Sequence, residues 1–142
     1  MTFDTPYTRL ALSALLGASI GWERTLDGKP AGLRTYALVS LGAAAFLLAA
    51  GGATADSTRV MQGVVTGIGF LGAGSILRAN GTIHGLTSAA TIWLVAGLGV
   101  LAGVGQYAVA VYATVLTLVI LRVLRWIEDY WRRKAAHEKT EA

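Results

Sequence analysis

The chain contains no cysteine. Disulfide staples, thiolate metal sites and cysteine nucleophiles are excluded together, and the composition carries no record of redox compartment. Acids are scarce as well: eight Asp and Glu residues in 142, with none between Ser57 and Ile127. Proline occurs twice, at Pro6 and Pro30, both in hydrophilic flanks, so it breaks none of the long apolar stretches. Charged residues are only 14% of the chain, against about a quarter in an ordinary soluble domain. A water-soluble helical fold needs polar residues on the outward face of every helix, and this chain lacks them.

What is present is apolar surface and glycine. Hydrophobic residues make up 54% of the chain and glycines number 18, with a mean hydropathy of +0.57. Runs of about 17–25 apolar residues span a bilayer as helices, and five candidates are found, the first of them short. They lie at about Thr8–Trp22, Thr35–Ala53, Val60–Leu77, Leu86–Gly103 and Gln106–Trp126. The expected fold is all-α, an integral membrane bundle of five transmembrane helices. Residues 1–127 form the membrane domain and 128–142 a basic tail.

The cations set the expected orientation. One side of a five-span chain carries Arg24, Lys29, Arg34, Arg78, Arg122, Arg125, Arg132, Arg133, Lys134 and Lys139; the other carries Arg9 and Arg59. Short loops rich in Lys and Arg stay cytoplasmic, which predicts the N-terminus outside and the C-terminus in the cytoplasm. The basic pI of about 9.8 then follows from topology, and nucleic acid is not needed as a partner. A short N-terminal apolar run also suits a secretory signal, but "MTFDTPYT" offers an acid and no cation before Arg9. Cleavage near Ala18 would also leave an even number of spans.

Gly67-x-Gly69-x-x-Gly72, inside "VVTGIGFLGAGSIL", has the glycine spacing of a dinucleotide-binding turn. That turn needs a preceding strand and an acid about 20 residues on, and no acid follows before Ile127. Small residues instead let helices approach closely in lipid, where the hydrophobic effect does not drive their association. Gly17/Gly21, Gly63/Gly67 and Gly99/Gly103 are spaced for this, with Gly69, Gly72 and Gly74 nearby. A tight bundle, with the option of a homo-oligomer, is expected.

Polar chemistry concentrates in two places. "GWERTLDGKPAGLRTY" holds Glu23, Arg24, Asp27, Lys29, Arg34 and Thr35. Two readings stand: ordinary interfacial charges, or a buried ionic network of Glu23, Arg24 and Arg34, since charges near the bilayer core face the protein and mark function. "LRANGTIHGLTSAAT" holds Arg78, His84, Thr87, Ser88 and Thr91, with a turn signal at Asn80–Gly81. His84 has no second His or acid near it in sequence, so it reads as a loop or interface residue. Mg²⁺ wants carboxylate oxygens, and every acid lies at or beyond a helix end, so a pore would depend on carbonyls and hydroxyls. No nucleophile elbow, metal-ligand spacing or phosphate loop appears, and neither an enzyme nor a cofactor is expected, with bound Mg²⁺ left open. The tail "RWIEDYWRRKAAHEKTEA" reads as a helix with a Trp/Tyr belt and a basic face turned to anionic lipid.

"GASIGWERTLDGKPAGLRTYALVSLGAAAF" and "VVTGIGFLGAGSILRANGTIHGLTSAATIWLVAGLGVLAGVGQY" closely resemble the MgtC/SapB family of bacterial inner-membrane proteins, over about residues 9–125. The resemblance implies a small five-span inner-membrane protein linked to growth in low magnesium. It further implies regulation of another membrane protein, such as the F-type ATP synthase, with Mg²⁺ or other ion transport as the alternative. The family's polar positions fall on Glu23, Arg24, Lys29, Arg34, Thr35, Arg78, Gly85 and Thr87, beside Gly67, Gly69, Gly72 and Gly74. Longer members carry an ACT-like soluble C-terminal domain. This chain stops about 16 residues after its last span, so sensing by such a domain is not expected here. "GLTSAA" stands where many members have "GLTTAA", which keeps the hydroxyl.

Overall fold

Thr5 opens the first helix. Its hydroxyl accepts the Thr8 N–H while the Thr8 hydroxyl takes the Thr5 N–H, and Pro6 presets the first helical φ. The computed structural model describes residues 4–79 and 82–138. Within them the chain forms helices α1 (Pro6–Leu26), α2 (Leu33–Ala49), α3 (Ala55–Gly74), α4 (Leu86–Gly103) and α5 (Tyr107–Glu138). Between α3 and α4 lies an antiparallel hairpin of β1 (Leu77–Ala79) and β2 (Thr82–His84), with Leu77 opposite His84 and Ala79 opposite Thr82. This hairpin is the one departure from an all-helical chain among the described residues; Asn80 and Gly81, where the sequence signals a turn, lie outside them.

The apolar runs correspond to helices, with shifted ends. α4 coincides with the fourth run, whereas α3 starts five residues before the third, taking Asp56 into its first turn. α5 continues past Trp126 as one helix to Glu138, so helix crosses the expected 127/128 boundary without interruption. Among the described residues two helices are long and apolar enough to cross a membrane: α4, and α5 over Tyr107–Trp131. α2 is apolar but has 17 residues.

α2 sits between α1 and α4, and glycine brings it there. A Cβ on Gly17 would overlap the Tyr36 carbonyl oxygen, and one on Gly21 would lie 2.8 Å from Leu33 Cα. From the other side, a Cβ on Gly99 would overlap the Ser40 carbonyl oxygen, and one on Gly103 would lie 3.0 Å from Leu47 Cβ. Backbone therefore lies against backbone along both seams. Ile20, Tyr36, Leu47, Val95 and Leu98 are buried there.

The remaining helices are attached less closely. α3 meets α4 at Gly72, whose added Cβ would stand 3.5 Å from the Ala89 carbonyl, an ordinary contact. Gly63, Gly67, Gly69 and Gly74, grouped with the packing glycines on spacing alone, have among the described residues no atom beyond their own stretch of helix within 4 Å of an added Cβ. Close packing within this chain thus falls on α1, α2 and α4, and the glycine face of α3 stays open. α5 leaves Tyr112, Val115, Val119 and Ile120 exposed.

Gly85 joins the hairpin to α4. It is the N-cap at φ +91°, and a Cβ there would overlap the Ser75 carbonyl oxygen at the end of α3. Only glycine fits this left-handed, crowded position.

Candidate functional site

The densest polar cluster forms where α1 ends and α4 begins. The close approach at Gly21 draws the last two turns of α1 against α2 and buries Glu23 and Arg24, at 7% and 4% exposure. Thr25 fixes the following loop by donating to the Gly21 carbonyl at 2.9 Å and accepting the Leu33 N–H at 2.9 Å.

Three helices then converge on Ser88. Arg24 Nη2 donates to Ser88 Oγ at 2.9 Å, and the Tyr36 hydroxyl donates to the Ser88 carbonyl at 3.4 Å. Below it, Thr91 donates to the Thr87 carbonyl at 2.6 Å, which satisfies its own hydroxyl within α4. Arg24 Nε has no hydrogen-bond partner, and no donor reaches either carboxylate oxygen of Glu23. A buried polar group without a partner costs free energy comparable to a lost hydrogen bond, and more if charged.

Asp27, one turn beyond Glu23, is the C-cap of α1 and makes an ion pair with Arg125 of α5. Arg125 also stands 4.0 Å from Asp129. Burial raises the Asp27 carboxyl, but the hydrogen bond and charge of Arg125 outweigh it and hold the group below its ordinary value. Arg24 and Arg125 thus tie α1 to α4 and to α5.

The structure brings together Glu23, Arg24 and Asp27 of the sequence-derived cluster. Arg34, expected in an ionic network with Glu23 and Arg24, is exposed at the start of α2, because its position faces away from the Tyr36 side buried against α1. Lys29, Thr35, His84 and Thr87 are exposed as well. Arg78 lies on β1 opposite Ile83, and its side chain is not among those described. Tyr36, Arg125 and the role of Ser88 were missed. Ser88 stands eleven residues before Gly99, three helical turns along the same buried stripe, and that spacing was the available signal. Glu23 and Asp27 supply two carboxyl groups, one of them already engaged. Among the described residues no third His, Cys, Asp or Glu joins them to make a metal-sized group.

A second polar cluster closes the opposite end of the bundle. Arg9 forks onto Asp4, with Nε–Oδ1 at 2.8 Å and Nη2–Oδ2 at 2.7 Å, while Nη1 donates to the Gly103 carbonyl at 2.8 Å. The Tyr107 hydroxyl also donates to Asp4. The hydrogen bonds from Arg9 and then Tyr107 pull the Asp4 carboxyl down to about 2. Arg9 so occupies the carbonyl end of α4, where a cation is favoured.

Between α2 and α3 an apolar groove of about 800 Å³ opens. Leu38, Gly42 and Phe46 form one wall, and Gly63, Gly67 and Leu71 the other. Two of the unpacked glycines of α3, Gly63 and Gly67, line it.

Residues 10–130 match the MgtC family. The chain is 48% identical to Protein MgtC of Salmonella typhimurium LT2 over 84% of this chain and 53% of that one. It is 42% identical to the YhiD protein of Escherichia coli K12 over 91% of this chain and 65% of that one. Its identity to Protein SrpB of Synechococcus elongatus is 40%, over 92% and 84%. The chain thus spans less than two thirds of the length of the MgtC and YhiD relatives. No solved structure matches it. The matched region takes in all of α2, α3 and α4, most of α1 and nearly all of the membrane-length part of α5, and the chain belongs to the MgtC family.

Proposed function

We propose that this chain is a multi-pass protein of the bacterial inner membrane, with five spans, its N-terminus outside and its C-terminus in the cytoplasm. It acts in magnesium-linked physiology by binding and regulating a membrane partner, without enzymatic activity of its own. The open glycine face of α3 beside the α2–α3 groove carries this reading. A backbone surface that no other described residue covers is where another transmembrane helix packs best. Support for magnesium comes from the name of the YhiD relative, which ties that protein to magnesium transport. The F-type ATP synthase is a candidate partner through the family likeness, and a second copy of the chain is another.

In-membrane crosslinking from single cysteines along Gly67–Gly74 tests the reading. A trapped partner or second copy is expected; monomer alone at every position overturns it. Labelling of single cysteines near Gly52 and Arg133 from either side of sealed vesicles tests the orientation. Reaction from opposite sides is expected.

One observation favours ion transport instead: the buried Glu23 carboxylate, whose oxygens have no donor. Purified chain in liposomes, assayed for Mg²⁺ flux, separates the two. Robust flux abolished by Glu23→Gln reverses the order of the readings.

A further inference from the structure

We propose that Glu23 and Asp27 hold one proton between them, so that the end of α1 is a proton-binding site that decides how firmly α5 is fastened to the bundle.

The inference is independent of the α3 groove and starts from an imbalance of donors and acceptors. Glu23 is 7% exposed, and no donor reaches its two carboxylate oxygens. One turn further along, at the C-cap of α1, stands another acceptor, the Asp27 carboxyl, which can take a hydrogen bond from Glu23 only if one of the pair carries a proton. Two ionised carboxylates one turn apart repel each other. A single proton turns that repulsion into an O–H···O⁻ hydrogen bond and supplies the missing donor.

The surroundings decide which acid carries it. Glu23 is faced by Arg24 from α1 and Asp27 at its C-cap, Tyr36 from α2, and Arg122 and Arg125 from α5. α4 contributes the hydroxyls of Ser88 and Thr91, neither of which titrates at ordinary pH. Arg24 Nη2 is directed to Ser88, and Arg125 is paired with Asp27. No cation lies within 4.0 Å of Glu23 among the described ion pairs, whereas Asp27 has one. The proton therefore resides on Glu23, which donates to Asp27, and Asp27 remains the carboxylate that Arg125 needs.

The consequence falls on α5. That helix packs more loosely than α2 or α4, and the Asp27–Arg125 pair is its charged link to α1. When Glu23 gives its proton to cytoplasmic water, a second negative charge appears beside Asp27. Asp27 and Arg125 must then rearrange, and the end of α5 is released.

The full chain in phosphatidylcholine/phosphatidylglycerol vesicles, carrying Lys29→Cys and Arg133→Cys as spin-label sites, provides the test. With no native cysteine, these are the only two labels. Infrared difference spectra should show a protonated carboxyl band that disappears as pH rises and is missing in Glu23→Gln. The label distance should be narrow while the band is present and broad once it is lost. Glu23→Gln should stay narrow at every pH, since its amide donates to Asp27 and has no proton to release. Arg125→Gln should be broad at every pH. A band that survives Glu23→Gln, or the same pH-dependent broadening in Glu23→Gln, overturns the proposal, and so does a narrow distribution in Arg125→Gln.

Discussion

The glycines of α1 and α4 and those of α3 have similar spacing and opposite surroundings. Gly17, Gly21, Gly99 and Gly103 press against the backbone and first side-chain atoms of α2, while Gly63, Gly67, Gly69 and Gly74 meet no described residue beyond their own stretch of helix within 4 Å. Spacing gives a helix a flat face, but it does not say what lies on that face. The neighbours of α2 are also the helices that share the Arg24–Ser88–Tyr36 hydrogen bonds. α3 takes no part in them.

The sharpest way to break this contrast is to add volume at a tight position. Gly99→Leu should destabilise the bundle by about 3 kcal/mol or more, because the new side chain must displace the Ser40 backbone. Unfolding in mixed micelles measures it. Gly85→Ala should cost about 1–2 kcal/mol from the left-handed backbone alone, with more from the overlap at Ser75, and should show as a lowered unfolding midpoint. At the open face the sign reverses. Gly67→Ala should raise the stability of the isolated chain by up to about 1 kcal/mol through helix propensity, while Gly67→Leu should reduce crosslinking to a partner. The smallest effect concerns the Gly103 end of the α2–α4 seam, where Arg9 holds the Gly103 carbonyl. The Asp4 carboxyl titrates at about 2 in the folded chain against an ordinary 3.8. Its contribution is therefore complete above the ordinary value and lost as pH falls through about 2. Asp4→Asn should remove that acid-limb dependence from an unfolding-midpoint profile.

Much of the helical layout was legible because apolar run length is a strong signal, and α4 was bounded to the residue. The ends of α3 and α5 were less so, since helices extend into polar sequence wherever caps allow. Thr54 caps α3 with Ser57, and that signal lies outside the apolar run. At the candidate site, Glu23, Arg24 and Asp27 could be read from their density beside an apolar helix. Arg34 could not be separated from them without the rotational phase of α2, which Tyr36 and Ser40 set by facing α1 and α4. Arg125 was counted only as a topological cation, because its partner Asp27 lies 98 positions earlier and nothing local marks such a pair.

The length of α5 has a mechanical consequence. Its 32 residues at about 1.5 Å each give a rod of roughly 48 Å, against about 30 Å of hydrocarbon. The rod begins just after Gly105, which adopts φ +84° beside the Arg9 guanidinium. A tilt of about 10° about that turn moves the far end by roughly 8 Å, while the first turn hardly shifts. Asp27–Arg125 grips the rod a little past its middle. A small displacement at that grip is therefore enlarged at the tip, where Arg133 and Lys134 lie.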